Sequence, residues 1–205
     1  MKLIDLSQNI EDGMPVYPGD SEVILNHTHV YSRDQYNNHR LDTGMHIGTH
    51  VDGPMHMTDV TKYICDLGLD NFCGQGCIIH AQNKKIITLK DEYLEIVKGK
   101  SIVLIHTGMA YYYGKEQYYS KHPVIDMPFC EMLVKNSVKM VGFDTPSPDR
   151  FPFEVHKYLL SHDVLILENL TNLDKINDND HFEVMAFPLK IKSDSCMVRA
   201  VARVF

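Results

Sequence analysis

The chain has 205 residues, 44% of them hydrophobic and 23% charged, with a net charge of −7 at pH 7. Length and composition suit one globular domain with a sizeable core. The acidic balance and the scattered lysines and arginines exclude a general nucleic-acid binder, and no apolar run approaches the ~20 residues of a membrane span.

At the N-terminus, Asp5 interrupts the apolar run that an export signal would need, so a cytoplasmic protein is expected. The five cysteines (Cys65, Cys73, Cys77, Cys130 and Cys196) are then read as reduced thiols. Cys73 and Cys77 have a spacing that could seed a metal site, but Cys77 opens an apolar run and is read as a buried strand residue. β-Branched content and alternation predict strands over Lys2–Leu6, Val23–Tyr31, Asn37–Met45, Gly76–Ala81, Ser101–His106, Met140–Phe143, Val164–Leu167, Phe182–Phe187 and Met197–Val204. Helices are expected at Leu89–Val97 after an N-capping Thr88, at Met127–Asn136 after Asp126, and at Phe153–Ser161. From Thr88 onward helix and strand alternate, which favours parallel pairing with helices packed outside. The fold class expected is α/β, a single domain over residues 1–205 with a mixed sheet flanked by helices.

The densest chemistry lies in His46-Ile-Gly-Thr-His50-Val-Asp52-Gly-Pro-Met-His56, three histidines and an aspartate within eleven residues. Imidazole and carboxylate are ligands of zinc, manganese and iron. His46 and His50 are four apart, as on a zincin helix. However, no glutamate follows the first histidine, and Gly48 disfavours a helix interior by about 1 kcal/mol. A turn through Gly48 gathers the two rings instead, Asp52 joins them, and Gly53-Pro54 turns His56 toward the same point. Three ligands with an open position would make a mononuclear catalytic site. Further ligands could come from His156 and from Glu168, a carboxylate closing an apolar strand, where burial is costly unless the charge is paired. His162 reads as a solvent-facing helix terminus.

The spacing His-x-Gly-Thr-His-x-Asp-x-Pro-x-His resembles the signature of the metal-dependent cyclase family, which includes bacterial kynurenine formamidases (arylformamidases). Ile4-Asp-Leu-Ser7, Pro15-Val-Tyr-Pro-Gly-Asp20, Gly142-Phe-Asp-Thr-Pro-Ser147, Phe187-Pro-Leu-Lys190 and Val198-Arg-Ala200 resemble other family segments, so the resemblance spans the chain. It implies two divalent ions, usually zinc, with manganese or iron possible. His46, His50 and Asp52 would hold the first ion. Asp52 and Glu168 would bridge to the second, which His156 completes, and His56 would be the acid/base. It also implies a barrel-like core to the mixed sheet, and a homodimer. Tyr17 stands where kynurenine formamidases carry a tryptophan thought to contact the substrate ring, and an aromatic stack is still available there.

The implied reaction is hydrolysis of an aromatic amide such as N-formyl-L-kynurenine to kynurenine and formate. An acidified water attacks the carbonyl, and an imidazole, which titrates near neutrality, carries the proton to the leaving nitrogen. Asp20, Asp144 and Ser147 are candidate pocket residues, and Arg150 and His106 candidate partners for a substrate carboxylate. The same residues would serve opening of a lactone or cyclic imide, or a cyclase or dehydratase reaction. A non-catalytic metal-binding domain is the reading from another class, and it leaves a free His56 without a use.

Overall fold

In the computed structural model, which describes residues 1–205, the apolar runs Ile102–His106, Met140–Phe143 and Leu165–Glu168 become neighbouring parallel strands. The chain forms strands β1 (Lys2–Asp5), β2 (Ile24–His29), β3 (Asn38–Asp42), β4 (His50–Asp52), β5 (Cys73–His80), β6 (Ile86–Ile87), β7 (Ile102–His106), β8 (Val124–Ile125), β9 (Met140–Phe143), β10 (Leu165–Glu168), β11 (Phe182–Met185), β12 (Ser195–Met197) and β13 (Val201–Val204). Its helices are α1 (Tyr31–Asp34), α2 (Asp91–Val97), α3 (Glu116–Ser120), α4 (Met127–Lys135) and α5 (Glu154–Ser161).

Nine strands form one curled mixed sheet in the order β1-β13-β11-β5-β7-β9-β10-β4-β12. β5, β7, β9 and β10 run parallel, and every other pairing is antiparallel. The parallel strands are covered on both faces, as crossover connections require. Alternation along β7 sorts the side chains: Ile102 and Leu104 enter one core with Ile4, Leu6, Val184 and Ala202. Val103 and Ile105 enter the other, with Phe129 and Leu133 of α4 and Leu159 of α5. β4 follows the same rule. Val51 faces the first core, so His50 and Asp52 face the side on which α5 packs.

The expected α/β alternation holds after Thr88, while the chain as a whole departs from expectation in four places. Asp126 caps α4 as expected, accepting from the Phe129 amide at 3.0 Å. Thr88 does not cap α2: Lys90 occupies the cap position without a side-chain bond, and Asp91 and Glu92 provide first-turn negative charge instead. The strands expected at Val23–Tyr31 and Asn37–Met45 appear as β2 and β3. They pair only with each other, outside the main sheet, and their residues are largely exposed. The stretch expected at Met197–Val204 divides: β12 pairs with β4, while β13 pairs with β1 and β11. Most consequential is β4. His50–Asp52, outside every strand expected from the sequence, is an internal strand of the sheet, held between β10 and β12.

Candidate metal centre

Register brings the predicted residues together. On β4, His50 lies opposite Glu168 of β10, and Asp52 lies opposite Ser195 of β12. Before the strand the chain turns at Gly48, whose φ of +51° is strained for any residue with a Cβ. That turn carries His46 back over β4, with its ring centroid 5.2 Å from that of His50. After the strand, Gly53 and a short 3-10 turn over Pro54–His56 bring the His56 ring to 4.1 Å from His46. His156 arrives from the first turn of α5. Phe153 and Asn169, both non-glycine residues in the left-handed region, stand beside the site, a placement of strained backbone common at functional sites.

Each imidazole has one nitrogen held by a fixed acceptor. Nδ1 of His50 donates to the Gly48 carbonyl at 2.9 Å. Nδ1 of His156 donates to Oδ1 of Asp149 at 2.6 Å, while Oδ2 of Asp149 accepts from the Val155 and His156 amides and so caps α5. Nε2 of His46 and Nδ1 of His56 both meet Oδ2 of Asp194, at 2.8 and 3.1 Å. The other nitrogens converge on two carboxylates. Nδ1 of His46 is 2.9 Å from Asp52 and Nε2 of His50 is 3.3 Å from Glu168. Nε2 of His156 is 3.3 Å from Glu168 and 3.9 Å from Asp52.

This donor set fits divalent cations. Nε2 of His50, both carboxylate oxygens of Asp52 and Oε1 of Glu168 are buried without a hydrogen-bond partner. Orphaned polar atoms are costly in a protein interior, and four converging on one point call for a cation. The nearest donor atoms of His50, Asp52 and Glu168 lie within 4.8 Å of one another, as do those of His46, Asp52 and His56. Fixing each ring through its outer nitrogen is how proteins orient metal-binding histidines.

Electrostatics agree. Burial opposes charge on His46, but Asp194 and Asp52 outweigh it and raise the imidazole to about 10. Burial likewise opposes charge on His156, and Asp149 and Glu168 raise it to about 10. Asp194, hydrogen-bonded by His46 and His56, is held well below the usual carboxylate range. A site this rich in negative charge favours bound positive charge.

A cavity opens onto these residues, walled by Tyr17, Tyr113, Tyr119 and Phe153, with Asp20 and Ser147 also lining it. Tyr17 and Tyr119 meet edge to face at 6.1 Å. Three other candidates lie elsewhere. Asp144 does not line the cavity: buried, it accepts from the Thr107 amide and hydroxyl and the Gly108 amide, tying the end of β9 to the turn after β7. Arg150 donates to the His122 carbonyl, and His106 pairs with His80 across β5 and β7 at 3.0 Å. His162 is exposed at the end of α5, as expected. The sequence reading missed Asp149 and Asp194, since aspartates in a Pro-Asp or Ser-Asp-Ser context read as turn residues. It also missed α3, which carries Tyr119 to the wall.

Comparison with known proteins places this arrangement in context. The Cyclase family model matches residues 4–150. The kynurenine formamidase of Geobacillus thermodenitrificans is 30% identical over 98% of this chain and 96% of its own length. Isatin hydrolase A from Labrenzia aggregata superposes with a TM-score of 0.86 at 20% identity, covering 98% of this chain and 93% of that one. A protein from Bacillus stearothermophilus described as a predicted metal-dependent hydrolase superposes at 0.80 with 24% identity, over 98% and 97% of the two chains.

Proposed function

The chain belongs to the cyclase family, and from that premise we propose that it is a metal-dependent hydrolase of an aromatic amide, N-formyl-L-kynurenine being the leading substrate. The observation that carries the reading is the convergence of buried, unpartnered donors of His50, Asp52 and Glu168, flanked by imidazoles whose outer nitrogens are already fixed.

His46, His50 and Asp52 would hold one divalent ion, and Asp52, His156 and Glu168 a second, with zinc favoured by the nitrogen and carboxylate ligands. Such ions acidify a water and polarise a carbonyl. The chain's own residues do the rest. His56, lining the cavity beside His46, takes a proton from water and delivers it to the amide nitrogen, which leaves poorly unless protonated. Tyr17, Tyr119 and Phe153 flank the aromatic ring of the substrate and exclude water from its faces. The family resemblance extends the reading to a homodimer, and the N-terminal sequence to a cytoplasmic one, which light scattering on purified protein and fractionation of cells check.

The test is a panel assay on protein of measured metal content, with N-formylkynurenine, a series of aryl formamides and a cyclic amide. Formamide hydrolysis that His56→Asn reduces at least about 100-fold with metal retained supports the reading. Turnover of the cyclic amide alone would move the substrate to ring opening, and near-normal turnover by His56→Asn would remove His56 from the chemistry.

A further inference from the structure

One carboxylate serves both a proposed ligand and the proposed acid/base. Oδ2 of Asp194 is 2.8 Å from Nε2 of His46 and 3.1 Å from Nδ1 of His56. A carboxylate only accepts, so both nitrogens donate, which leaves the lone pair of His56 on Nε2. The two rings differ in what else they can reach. Nε2 of His46 has a second partner, the Ser195 hydroxyl at 2.9 Å. For Nδ1 of His56, Asp194 is the only acceptor within hydrogen-bond distance.

Backbone pairing pins this carboxylate. The Asp194 carbonyl accepts from the Gly53 amide at 2.9 Å, and the Ser193 carbonyl accepts from the Ile64 amide at 2.8 Å. The next residue, Ser195, lies opposite Asp52 in the β4–β12 register. The pairing that sets Asp52 therefore also sets Asp194. Gly53 permits the approach, since a Cβ there would lie 2.9 Å from the Asp194 carbonyl oxygen.

We propose that Asp194 is the positioning residue of the acid/base: its carboxylate holds His56 in the Nδ1-protonated tautomer and in its orientation at the cavity. This rests on the assignment of His56 made above. Losing the carboxylate falls on His56 rather than on His46, because Ser195 can still accept from His46. An imidazole with the wrong tautomer has its proton where its lone pair is needed, so turnover suffers while substrate binding does not.

The experiment uses zinc-loaded protein with 15N-labelled histidine, and long-range 1H–15N correlation spectra identify which ring nitrogen carries the proton. Signals of His56 are assigned by their loss in His56→Gln. In the native chain His56 shows the Nδ1-protonated pattern. In Asp194→Ala it moves to the Nε2-protonated form or a mixture, with zinc content unchanged. On the formamide panel, kcat of this variant falls about 10- to 100-fold, the usual range for loss of a residue that orients a site histidine, and KM stays within about twofold. Asp194→Glu recovers part of kcat. Asp194→Asn, whose amide oxygen still accepts, keeps the tautomer. An unmoved His56 pattern in Asp194→Ala overturns the proposal, as does loss of zinc in step with kcat, which would place the role at His46. If the native chain hydrolyses no amide, the functional reading fails while the spectra still decide whether Asp194 holds the tautomer.

Discussion

At the residue scale the site is built in pairs, a ring and the acceptor that fixes it. Asp52 is the residue on which the arrangement depends, since both its oxygens are buried and unpartnered among His46, His50 and His156. Asp52→Ala is expected to lose both of the proposed ions; elemental analysis retaining two per chain would refute the proposed bridging role. Asp149→Ala removes the acceptor behind His156, and the expected outcome is a 10- to 100-fold weaker zinc affinity in chelator competition. The cysteines give a contrast. Burial pushes the thiols of Cys77 and Cys130 up to about 12, so both stay protonated and shielded at mildly alkaline pH. Iodoacetamide should label the half-buried Cys65 and Cys73 of the folded protein first, as peptide mass spectrometry would show.

At the element scale, the three-residue strand β4 does the most organising. Lying between β10 and β12, it places His50 beside Glu168 and Asp52 beside Ser195 in one sheet. Gly53→Ala sets a Cβ against backbone at 2.9 Å and should shift this crossing, lowering metal occupancy more than it lowers helix content, measured by elemental analysis beside circular dichroism. A simpler helix test lies away from the site. Asp126→Ala removes the cap of α4 and should cost about 0.5–2 kcal/mol in urea unfolding, with activity unchanged. Much at this scale was legible. The buried parallel strands announce themselves as apolar runs, and α4 by Asp126 and Pro128. β4 was not legible, because a three-residue strand holding His50, Asp52 and a single valine has no alternation to read. β12 was hidden for the same reason, and with it Asp194.

At the scale of the whole molecule, the site joins β4, β10 and α5 to the turn at His46, so a bound cation clamps the sheet to its covering helix. Cation at 100 times its Kd should add about 2.7 kcal/mol of stability, and chelation should lower Tm accordingly. The pH dependence has a definite sign. With cations stripped, His46 and His156 titrate at about 10 against 6.5 for an ordinary imidazole, so their contribution to stability is complete below 6.5 and is lost as pH rises toward 10. Cation affinity runs the other way, rising with pH through neutrality, because ligation needs the neutral ring and displaces its proton. Denaturation of chelated and zinc-loaded protein across that range would show the two slopes opposed.

What the sequence by itself determined is local in origin: the α/β alternation, the cluster from His46 to His56, and the turn through Gly48. Each follows from residues a few positions apart, whose conformational preferences act without help from the rest of the chain. Only the tertiary structure placed Asp194 behind His46 and His56, and Asp149 behind His156. His46 and Asp194 lie 148 positions apart in sequence, and strand register, set by burial of whole faces, brings them within a hydrogen bond. No local spacing encodes that meeting, so the acceptors behind the histidines, and the aromatic wall carried in by α3, came from the fold alone.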